Sequence, residues 1–438
     1  MKRKIYNKLL EWKQSNHRKP LLLLGARQVG KTWLMKEFGR NEYENVVYIN
    51  CDDEPVMRTL FSADYDINRL LLSFQAISGQ PITESSTLII LDELQEAPRG
   101  IHSLKYFCEK APGYHIIAAG SLLGVTIAQT ESFPVGKVDM RHLYPMDFEE
   151  FLLAKGEEQL CNLLNLCDPS LTEPFSQKLT EQLRQYLYVG GMPEVVGNFV
   201  NNGNLEETRL LQRNIIEAYR KDISKHASKI ESIRIGQVLL SLPSQLAKEN
   251  KKFIYGVAKP GARAADFEIA IQWLIDAGLV YKIPRVNKVA APLNFYEDIS
   301  AFKLFLLDVG LLGCMAGVEA SSIILQPDSL TEFKGMMTEQ YTAQQLIAGG
   351  FRLFYWSNKS TPAELDFIIE SESRPIPIEV KASTNVRSRS LTQFVKDNPG
   401  VRGIRFSLNG YIRQQPLTNY PLYLIPFYFK NGRVYEFL

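Results

Sequence analysis

The chain has 438 residues, of which 45% are hydrophobic and 22% charged; this is an ordinary globular composition, long enough for roughly three domains. The net charge of +2 gives no overall field that would require an acidic partner. The five cysteines are irregularly spaced, which excludes a zinc-ligand or disulfide framework and favours reduced thiols in a cytoplasmic protein.

The first third of the chain alternates short apolar runs with amphipathic segments. Strands that are separated by helices favour a parallel sheet with crossover helices, and hence an α/β core. We predict strands at 21–24, 46–50, 88–91, 115–119 and 138–143, and helices at 30–38, 68–77 and 101–110.

Residues 25–32 read Gly-Ala-Arg-Gln-Val-Gly-Lys-Thr, a complete G-x-x-x-x-G-K-T pattern between a predicted strand and a predicted helix. The glycines let backbone N–H groups turn inward around phosphate oxygens, and the N-terminus of the helix favours the anion. Lys31 can reach the β- and γ-phosphates, and Thr32 offers a hydroxyl to Mg²⁺. The alternative is a glycine-rich turn without a ligand. We predict an ATP-binding loop.

A second acidic element follows in the run Leu-Ile-Ile-Leu-Asp-Glu at residues 88–93. Four apolar residues predict a buried strand, so Asp92 leaves its carboxyl end beside the phosphate loop. There Asp92 would hold the metal, while Glu93 would orient or deprotonate the attacking water. The alternative is an acidic pair that merely ends a strand.

From about residue 148 the character of the sequence changes. Helix, turn, helix and strand over 253–285 resemble a winged helix-turn-helix, in which Gly278 caps a helix at 265–277 and a strand runs over 280–283. The apolar run 302–318 contains Lys303 and Asp308, so we predict a buried helix there rather than a membrane span, and no membrane partner. The long amphipathic segments are predicted as helices at 148–155, 175–189, 205–228 and 233–247.

Residues 209–263 form a basic stretch that holds twelve lysines and arginines but only four acidic residues. Such a local excess is the electrostatic footprint expected for contacts with DNA phosphates. The helix 265–277 offers mainly Asp266, Glu268 and Gln272, which argues against sequence-specific reading in the major groove. Contact with the DNA backbone, contact with a protein, and a solvated basic face are the alternatives.

The C-terminal third carries a second constellation. Residues 364–369 predict a strand, and after a turn 377–382 predict another, on which Glu379 and Lys381 point to the same side. In a hairpin, Asp366 can join them. Two carboxylates with a lysine suit Mg²⁺-assisted phosphodiester hydrolysis, and Glu339 on a helix at about 338–348 could complete the metal site. This order resembles the PD-(D/E)xK nuclease pattern; the alternative is a charge pair on an exposed edge strand.

Taken together, these motifs resemble the prokaryotic AAA-type ATPases with an appended C-terminal domain of uncharacterised function. The resemblance rests on the phosphate loop, Leu-Asp-Glu-Leu-Gln at 91–95, Gly-Ser-Leu-Leu-Gly at 120–124, Tyr-Pro-Met-Asp-Phe-Glu-Glu-Phe at 144–151 and Gly-Gly-Met-Pro-Glu at 190–194. It implies an AAA+ core, a helical and winged-helix middle, and a C-terminal restriction-endonuclease-like α/β domain related to PD-(D/E)xK nucleases.

The resemblance also implies roles for polar residues near the nucleotide. Ser121 stands where such ATPases sense the γ-phosphate, although it could equally cap the next helix. Arg141 and Arg99 could approach a nucleotide bound to a neighbour in an oligomer, or be ordinary surface arginines. Lys137 stands where family members often have arginine, which leaves a finger role at that position in doubt.

These inferences divide the chain into an ATPase domain at 1–150, a helical lid or linker at 151–230, a winged-helix-like domain at 231–318 and a nuclease-like domain at 319–438. The leading hypothesis is an ATPase whose nucleotide state controls a Mg²⁺-dependent nuclease-like domain on DNA. The rival hypothesis is an ATP-driven switch whose C-terminal domain binds protein or nucleic acid without cutting. The predicted nucleotide contacts are Gly25, Arg27, Gln28, Val29, Gly30, Lys31, Thr32, Trp33, Asp92 and Ser121.

Overall fold

The computed structural model describes residues 1–129, 133–248, 251–320, 322, 331–358, 363–382, 389–414 and 417–435. The chain forms two structural units. The first comprises Met1–Tyr144 and Asp276–Leu279, and the second Pro145–Ile275 and Val280–Leu438.

The first unit is built on a five-stranded parallel sheet with the order β2-β3-β4-β1-β5. The runs in β1, β3 and β4 are buried along their whole length, because helices cover both faces of a parallel sheet. The strands are β1 (Leu21–Leu24), β2 (Asn45–Asn50), β3 (Thr87–Asp92), β4 (His115–Ala119) and β5 (Asp139–His142).

Helices connect these strands, as the alternating pattern of the sequence predicts. The predicted parallel α/β core is therefore confirmed, and most element bounds shift by one or two residues. The helix after the phosphate loop continues to Glu42, four residues beyond the predicted end. The helices are α1 (Ile5–Gln14), α2 (Lys31–Glu42), α3 (Met57–Ala63), α4 (Ile67–Ser78), α5 (Gly100–Lys110) and α6 (Leu123–Gln129).

The second unit begins with a helical region in which the four predicted long helices are present. Its helices are α7 (Phe148–Ala154), α8 (Glu158–Asn165), α9 (Pro169–Thr172), α10 (Ser176–Val189), α11 (Pro193–Asn202), α12 (Leu205–His226), α13 (Lys229–Leu246), α14 (Tyr255–Ala258) and α15 (Ala264–Asp276).

The boundary between α12 and α13 differs from the prediction. Ser228 does not end the first helix but begins the second. Its side chain accepts a hydrogen bond from the backbone N–H of Glu231, and the Glu231 carboxylate accepts one from the backbone N–H of Ser228. Such a capping box satisfies two backbone donors at the start of a helix.

A mixed eight-stranded sheet organises the rest of the second unit, in the order β12-β13-β11-β10-β9-β8-β6-β7. Its members are β6 (Val280–Val286), β7 (Glu297–Leu306), β8 (Phe354–Ser357), β9 (Glu364–Ser371), β10 (Arg374–Val380), β11 (Gly403–Ser407), β12 (Ile412–Gln414) and β13 (Leu417–Pro421). The remaining elements are α16 (Val309–Met315), α17 (Thr331–Ala348), α18 (Arg389–Asp397), α19 (Ile425–Tyr428), β14 (Phe429–Lys430) and β15 (Arg433–Val434).

The sheet joins two parts of the sequence that were predicted separately. The hairpin of β6 and β7 continues the C-terminal strands, because β6 pairs with β8 at Arg285 and Tyr355. The side chains of β7 and of the C-terminal strands therefore belong to one sheet.

The prediction of one buried helix over 302–318 is wrong. The first residues of this run end β7, and α16 begins only after Asp308. Buried Asp308 caps α16 by accepting from the backbone N–H of Leu311 at 3.0 Å, and it also accepts from that of Gly191 at 2.6 Å. Its carboxylate thus explains the break in the helix and the need for glycine at 190, where a Cβ atom would stand 2.2 Å from Asp308 Oδ1. At Gly191 the limit is the backbone of Met146, whose carbonyl oxygen would stand 2.0 Å from a Cβ atom. Among the described residues, none of the helices combines the length and apolar character that crossing a bilayer requires.

Candidate functional site: a nucleotide pocket and a carboxylate–lysine cluster

The phosphate loop, residues 25–32, lies between β1 and α2. Its backbone takes left-handed conformations at Gln28 (φ 65°) and at Gly30 (φ 93°), the residue that precedes α2. Gly25 has φ 144°, and a Cβ atom there would stand 2.3 Å from the carbonyl oxygen of Leu143. Only glycine fits this position, because the carbonyl belongs to the backbone and cannot rotate away.

Lys31 is buried at the start of α2. Its ammonium donates hydrogen bonds to the carbonyl oxygens of Gly25 and Ala26, both at 2.8 Å. Burial lowers the pKa of Lys31 to about 8, although the charges of Glu93 and Asp92 partly oppose the shift. The ammonium therefore stands among loop carbonyls, in surroundings that would favour an added negative charge.

The end of β3 brings Asp92 to the loop, as predicted. The Thr32 hydroxyl donates a hydrogen bond to Asp92 Oδ2 at 2.6 Å, and the hydroxyl of Tyr48 donates to the same oxygen at 3.1 Å. Burial, together with the Asp92 charge, raises the pKa of Tyr48. A hydroxyl and a carboxylate are oxygen ligands of the kind that Mg²⁺ prefers, so these residues fit a magnesium ion bound with a nucleotide.

Glu93 follows directly, in a left-handed conformation with φ 50°. Its Oε2 accepts hydrogen bonds from the backbone N–H and the hydroxyl of Ser121, both at 3.0 Å, and from the amide of Gln95 at 2.5 Å. Burial raises the pKa of Glu93, but these bonds and Lys31 outweigh it and the net pKa is lowered. Glu93 is thus held ionised, as a general base must be.

Ser121 contacts Glu93 rather than capping a helix, since α6 begins only at Leu123. The remaining predicted contacts lie on the loop or beside it: Arg27 and Gln28 are exposed, Val29 is buried, and Trp33 is 46% exposed. Arg99 donates to the hydroxyl of Tyr65 at 2.8 Å.

Two residues near this pocket were not predicted. The guanidinium of Arg3 donates to the carbonyl oxygens of Val29 at 2.9 Å and Tyr144 at 2.6 Å, and so ties the phosphate loop to the segment after β5. Gln95 fills the space next to Gly120, where a Cβ atom would stand 1.8 Å from its Oε1. The signal in the sequence that could have revealed Gln95 is the occurrence of Gly120 together with the motif Leu-Asp-Glu-Leu-Gln at 91–95.

In the second unit, β9 and β10 form the predicted antiparallel hairpin. Phe367 pairs with Ile378, so Asp366 and Glu379 lie opposite each other one position further along. Asp366 accepts a hydrogen bond from the backbone N–H of Val380 at 2.8 Å. Lys381 lies just beyond β10 and not within it, yet its ammonium is 2.6 Å from Glu379 Oε1.

Glu339 on α17 lies in the same group. Burial raises its pKa, and the charge of Asp366 raises it further, so the two carboxyl groups are electrostatic neighbours. Glu339 Oε1 pairs with the ammonium of Lys251. Glu339 Oε2 is buried without a hydrogen-bond partner among the described residues. A buried carboxylate oxygen in this position is poorly compensated and would bind a cation.

Three further charged residues complete this group and were not predicted as part of it. Lys303 on β7 is fully buried, pairs with Glu364, and has its ammonium 4.8 Å from the centre of the Tyr355 ring. Burial lowers the pKa of Lys303, but the charges of the carboxylates outweigh this and raise it. A lysine inside the apolar second half of β7 was the sequence signal for Lys303. We call the group the carboxylate–lysine cluster: Glu339, Glu364, Asp366, Glu379, Lys251, Lys303 and Lys381.

The cluster does not stand as a ready-made metal site. Within the described ranges, no three side chains of histidine, cysteine, aspartate or glutamate come together in a group that could hold a metal ion. Instead, lysines pair with Glu339, Glu364 and Glu379. The predicted metal ligands Glu339, Asp366 and Glu379 therefore lie in one region, but lysine ammonium groups pair with carboxylates of this region where a metal ion would bind.

The basic stretch is only partly exposed. Arg209 packs over the ring of Tyr188 at 3.9 Å, Arg234 pairs with Asp266 at 3.0 Å, and Lys251 belongs to the carboxylate–lysine cluster. The exposed basic residues of the stretch are Arg213, Arg220, Lys221, Lys225, Lys229, Lys248, Lys259 and Arg263.

Comparison with protein families agrees with the N-terminal part of this description. Residues 17–152 match the family described as AAA domain, so the chain contains an AAA-type P-loop ATPase domain. Residues 180–322 match the family described as Domain of unknown function (DUF8612), and residues 334–426 match Domain of unknown function (DUF4143). No curated protein matches the chain.

The solved structures that are similar to the chain include the following three. The Walker-type ATPase PABY2304 of Pyrococcus abyssi is 15% identical, with 72% of this chain and 95% of that one covered and a TM-score of 0.45. The Aeropyrum pernix ORC1 protein in complex with DNA is 12% identical, with coverage of 72% and 90% and a TM-score of 0.28. The Aeropyrum pernix ORC2 protein in its ADP form is 14% identical, with coverage of 77% and 93% and a TM-score of 0.30.

Proposed function

We propose that the first unit binds ATP with Mg²⁺ and hydrolyses it. The observation that carries the proposal is the 2.6 Å hydrogen bond between the Thr32 hydroxyl and Asp92, on the loop that holds Lys31. The hydroxyl and the carboxylate would hold the metal, which neutralises charge on the phosphates when bound. Lys31 would exchange its loop carbonyls for phosphate oxygens.

Glu93 is the proposed general base. Its lowered pKa keeps the carboxylate ready to accept a proton from water. Ser121 and Gln95 hydrogen-bond the carboxylate and would orient it, and Ser121 would exchange its bond for one with the γ-phosphate. Glu93 and Gln95 follow β3, and Ser121 follows the neighbouring strand β4. A phosphate bound at this edge of the sheet would therefore interact with all three side chains.

Substitution of Lys31 tests this part of the proposal. The Lys31→Ala protein should lose ATP hydrolysis, because Lys31 is the buried ammonium of the loop, whereas Arg27, the other cation of the loop, is exposed. Lys8→Ala, on the exposed face of α1, is the control with the same loss of charge and should hydrolyse ATP at the wild-type rate. A Lys31→Ala protein with the wild-type rate would refute the proposal.

We propose further that nucleotide state controls a nuclease-like C-terminal domain that acts on DNA. The support is the convergence of Glu339, Asp366, Glu379 and Lys381, together with the exposed basic residues of the stretch 209–263. The same proposal includes a relation of the C-terminal domain to PD-(D/E)xK nucleases, a winged-helix domain at 231–318 and the four-domain division. It also includes a cytoplasmic location and an oligomer with an arginine finger.

Plasmid cleavage in Mg²⁺ tests this second part. The wild-type protein should nick or linearise the plasmid, and the Asp366→Ala and Lys381→Ala proteins should not. Equal cleavage by all three proteins would identify a contaminating nuclease and refute the assignment.

A specific observation favours the rival function, an ATP-driven switch whose C-terminal domain binds without cutting. Three carboxylates of the carboxylate–lysine cluster are already paired with lysines, which lets the cluster stand without a metal. A thermal-stability titration with Mn²⁺ separates the two functions. The nuclease-like site predicts stabilisation that the Glu379→Ala variant loses, whereas the switch predicts no response in either protein.

A further inference from the structure

A stripe of cationic and aromatic residues runs along α5 in the first unit. Arg99 directly precedes the helix, and His102, Tyr106 and Lys110 follow at intervals of three or four residues, which places all four on one face. Arg99 and Lys110 are exposed, and the other two are partly exposed. The backbone of Arg99 is left-handed, with φ 65°. The fold thus keeps an arginine at a position where glycine would be less strained.

Aromatic rings form a stack on this face. Tyr65, from the connection between α3 and α4, lies on Tyr106 with ring centroids 4.4 Å apart and an angle of 14° between the planes. The ring centroid of His102 is 5.2 Å from that of Tyr65 and 5.6 Å from that of Tyr106. All three residues are partly exposed. Two separate segments therefore bring flat π surfaces together at the protein surface.

Three cations border the stack. The Arg99 guanidinium lies 4.8 Å from the centre of the Tyr65 ring, and its Nε donates to the Tyr65 hydroxyl at 2.8 Å. The ammonium groups of Lys110 and Lys105 lie 5.4 and 5.9 Å from the centre of the Tyr106 ring. We call this group the aromatic platform: Tyr65, Arg99, His102, Lys105, Tyr106 and Lys110.

Two acidic residues beside the platform are already paired with other cations. Asp64 pairs with Arg69 at 2.8 Å, and Glu109 pairs with Lys137 at 2.9 Å. Within the part of the chain that the structure describes, the two lysines of the platform form no ion pair with a carboxylate. An anion that approached the platform would therefore meet positive charge that no carboxylate holds in an ion pair.

We infer that the aromatic platform binds a single strand of nucleic acid. Every base has a flat π face that stacks on an aromatic side chain, and lysine and arginine attract the phosphates that join the bases. A base on the outer side of Tyr106 would carry its phosphates towards Lys105 and Lys110. The bases of a duplex already stack on one another, so only a single strand uses both the rings and the cations. This chemistry is common to DNA and RNA.

The platform extends the nucleic-acid contacts beyond those of the proposed function. The basic stretch 209–263 belongs to the second unit, and its proposed role is contact with the phosphate backbone of DNA. The platform belongs to the first unit and adds stacking on bases. The two surfaces are therefore distinguished by a probe that reports on aromatic contact.

Fluorescence anisotropy of labelled oligo(dT) and oligo(U), each about 20 nucleotides long, measures binding to the nucleotide-free full chain. Tyr106→Leu removes the ring but keeps an apolar side chain, and should weaken binding about 5- to 150-fold. Tyr106→Phe keeps the ring and should bind within about twofold of the wild type. The oligonucleotide that binds more tightly shows whether DNA or RNA is the preferred strand.

Lys110→Gln provides an exposed variant that leaves the rings in place. Loss of one phosphate contact should reduce the slope of log affinity against log salt concentration by about 0.7. Lys8→Gln, on the exposed face of α1, has the same loss of charge and should leave the slope unchanged.

Photocrosslinking with oligonucleotides that carry 5-iodouracil then locates the strand. The crosslinks should map to Tyr65 or Tyr106. Crosslinks that map only to 209–263, or wild-type affinity in Tyr106→Leu together with a wild-type salt slope in Lys110→Gln, would overturn the platform while leaving the proposed function intact. Failure of the wild type to bind either oligonucleotide would overturn the platform as well.

Discussion

Lys31 should take up a proton when ATP binds. Burial lowers its pKa from 10.5 to about 8 in the nucleotide-free protein. The phosphates bring negative charge to the ammonium, which restores the pKa towards its usual value. Between about pH 8 and 10.5, the free protein has therefore lost a proton that the bound protein holds, and ATP affinity should fall as the pH rises through this window.

The size of the effect follows from the two pKa values. The difference between the two pKa values corresponds to about 3.4 kcal/mol, which is the largest loss of ATP-binding free energy that deprotonation of Lys31 can cause as the pH rises. At pH 8.5 the free protein keeps this proton in about a quarter of the molecules, so binding takes up about 0.8 protons. At pH 7 the uptake is only about 0.1.

Isothermal titration calorimetry with a non-hydrolysable ATP analogue, in buffers of different ionisation enthalpy, measures this uptake. Lys31→Arg is the matched control, because a guanidinium stays protonated throughout the range and its binding should take up no proton at this site. A wild-type uptake below about 0.2 protons at pH 8.5, or equal uptake in the arginine variant, would refute the assignment of Lys31 as the buried cation of the pocket.

Three further substitutions probe the support of the pocket. Arg3→Met removes two hydrogen bonds from a charged donor and should lower the free energy of unfolding by about 2–4 kcal/mol in urea denaturation; an unchanged midpoint would contradict it. Gly120→Ala should push the Gln95 amide off Glu93 and cost about 1–3 kcal/mol, read from the same transition. Ser121→Ala removes a hydrogen bond that lowers the pKa of Glu93, so the low-pH limb of the ATPase rate should move to higher pH. A limb that does not move would show that this bond does not set the pKa of Glu93.

The α/β core and the nucleotide pocket were predictable because their signals are local in sequence. The phosphate loop, the buried run before Asp92 and the alternation of strand and helix each lie within a few residues, and the parallel sheet then brings them together. Arg3 was not predictable, because an arginine near a chain terminus carries no mark of its contact with the loop carbonyls of Val29 and Tyr144.

The second unit was predicted less completely, since its site depends on pairings between distant segments. The hairpin that joins Asp366 to Glu379 is local and was found. Lys251 and Lys303 reach Glu339 and Glu364 from other elements, and the end of β7 lies within a run that hydropathy alone assigns to a helix. Periodicity could not decide between a strand and a helix in so short an apolar run.

Glu93→Gln offers the most direct test of ATP hydrolysis by this pocket. The amide keeps the shape of the side chain but cannot accept the proton, so single-turnover hydrolysis should fall by about 10²–10⁴-fold while nucleotide affinity stays within about threefold of the wild type. A Glu93→Gln protein that binds ATP and hydrolyses it at the wild-type rate would contradict the account.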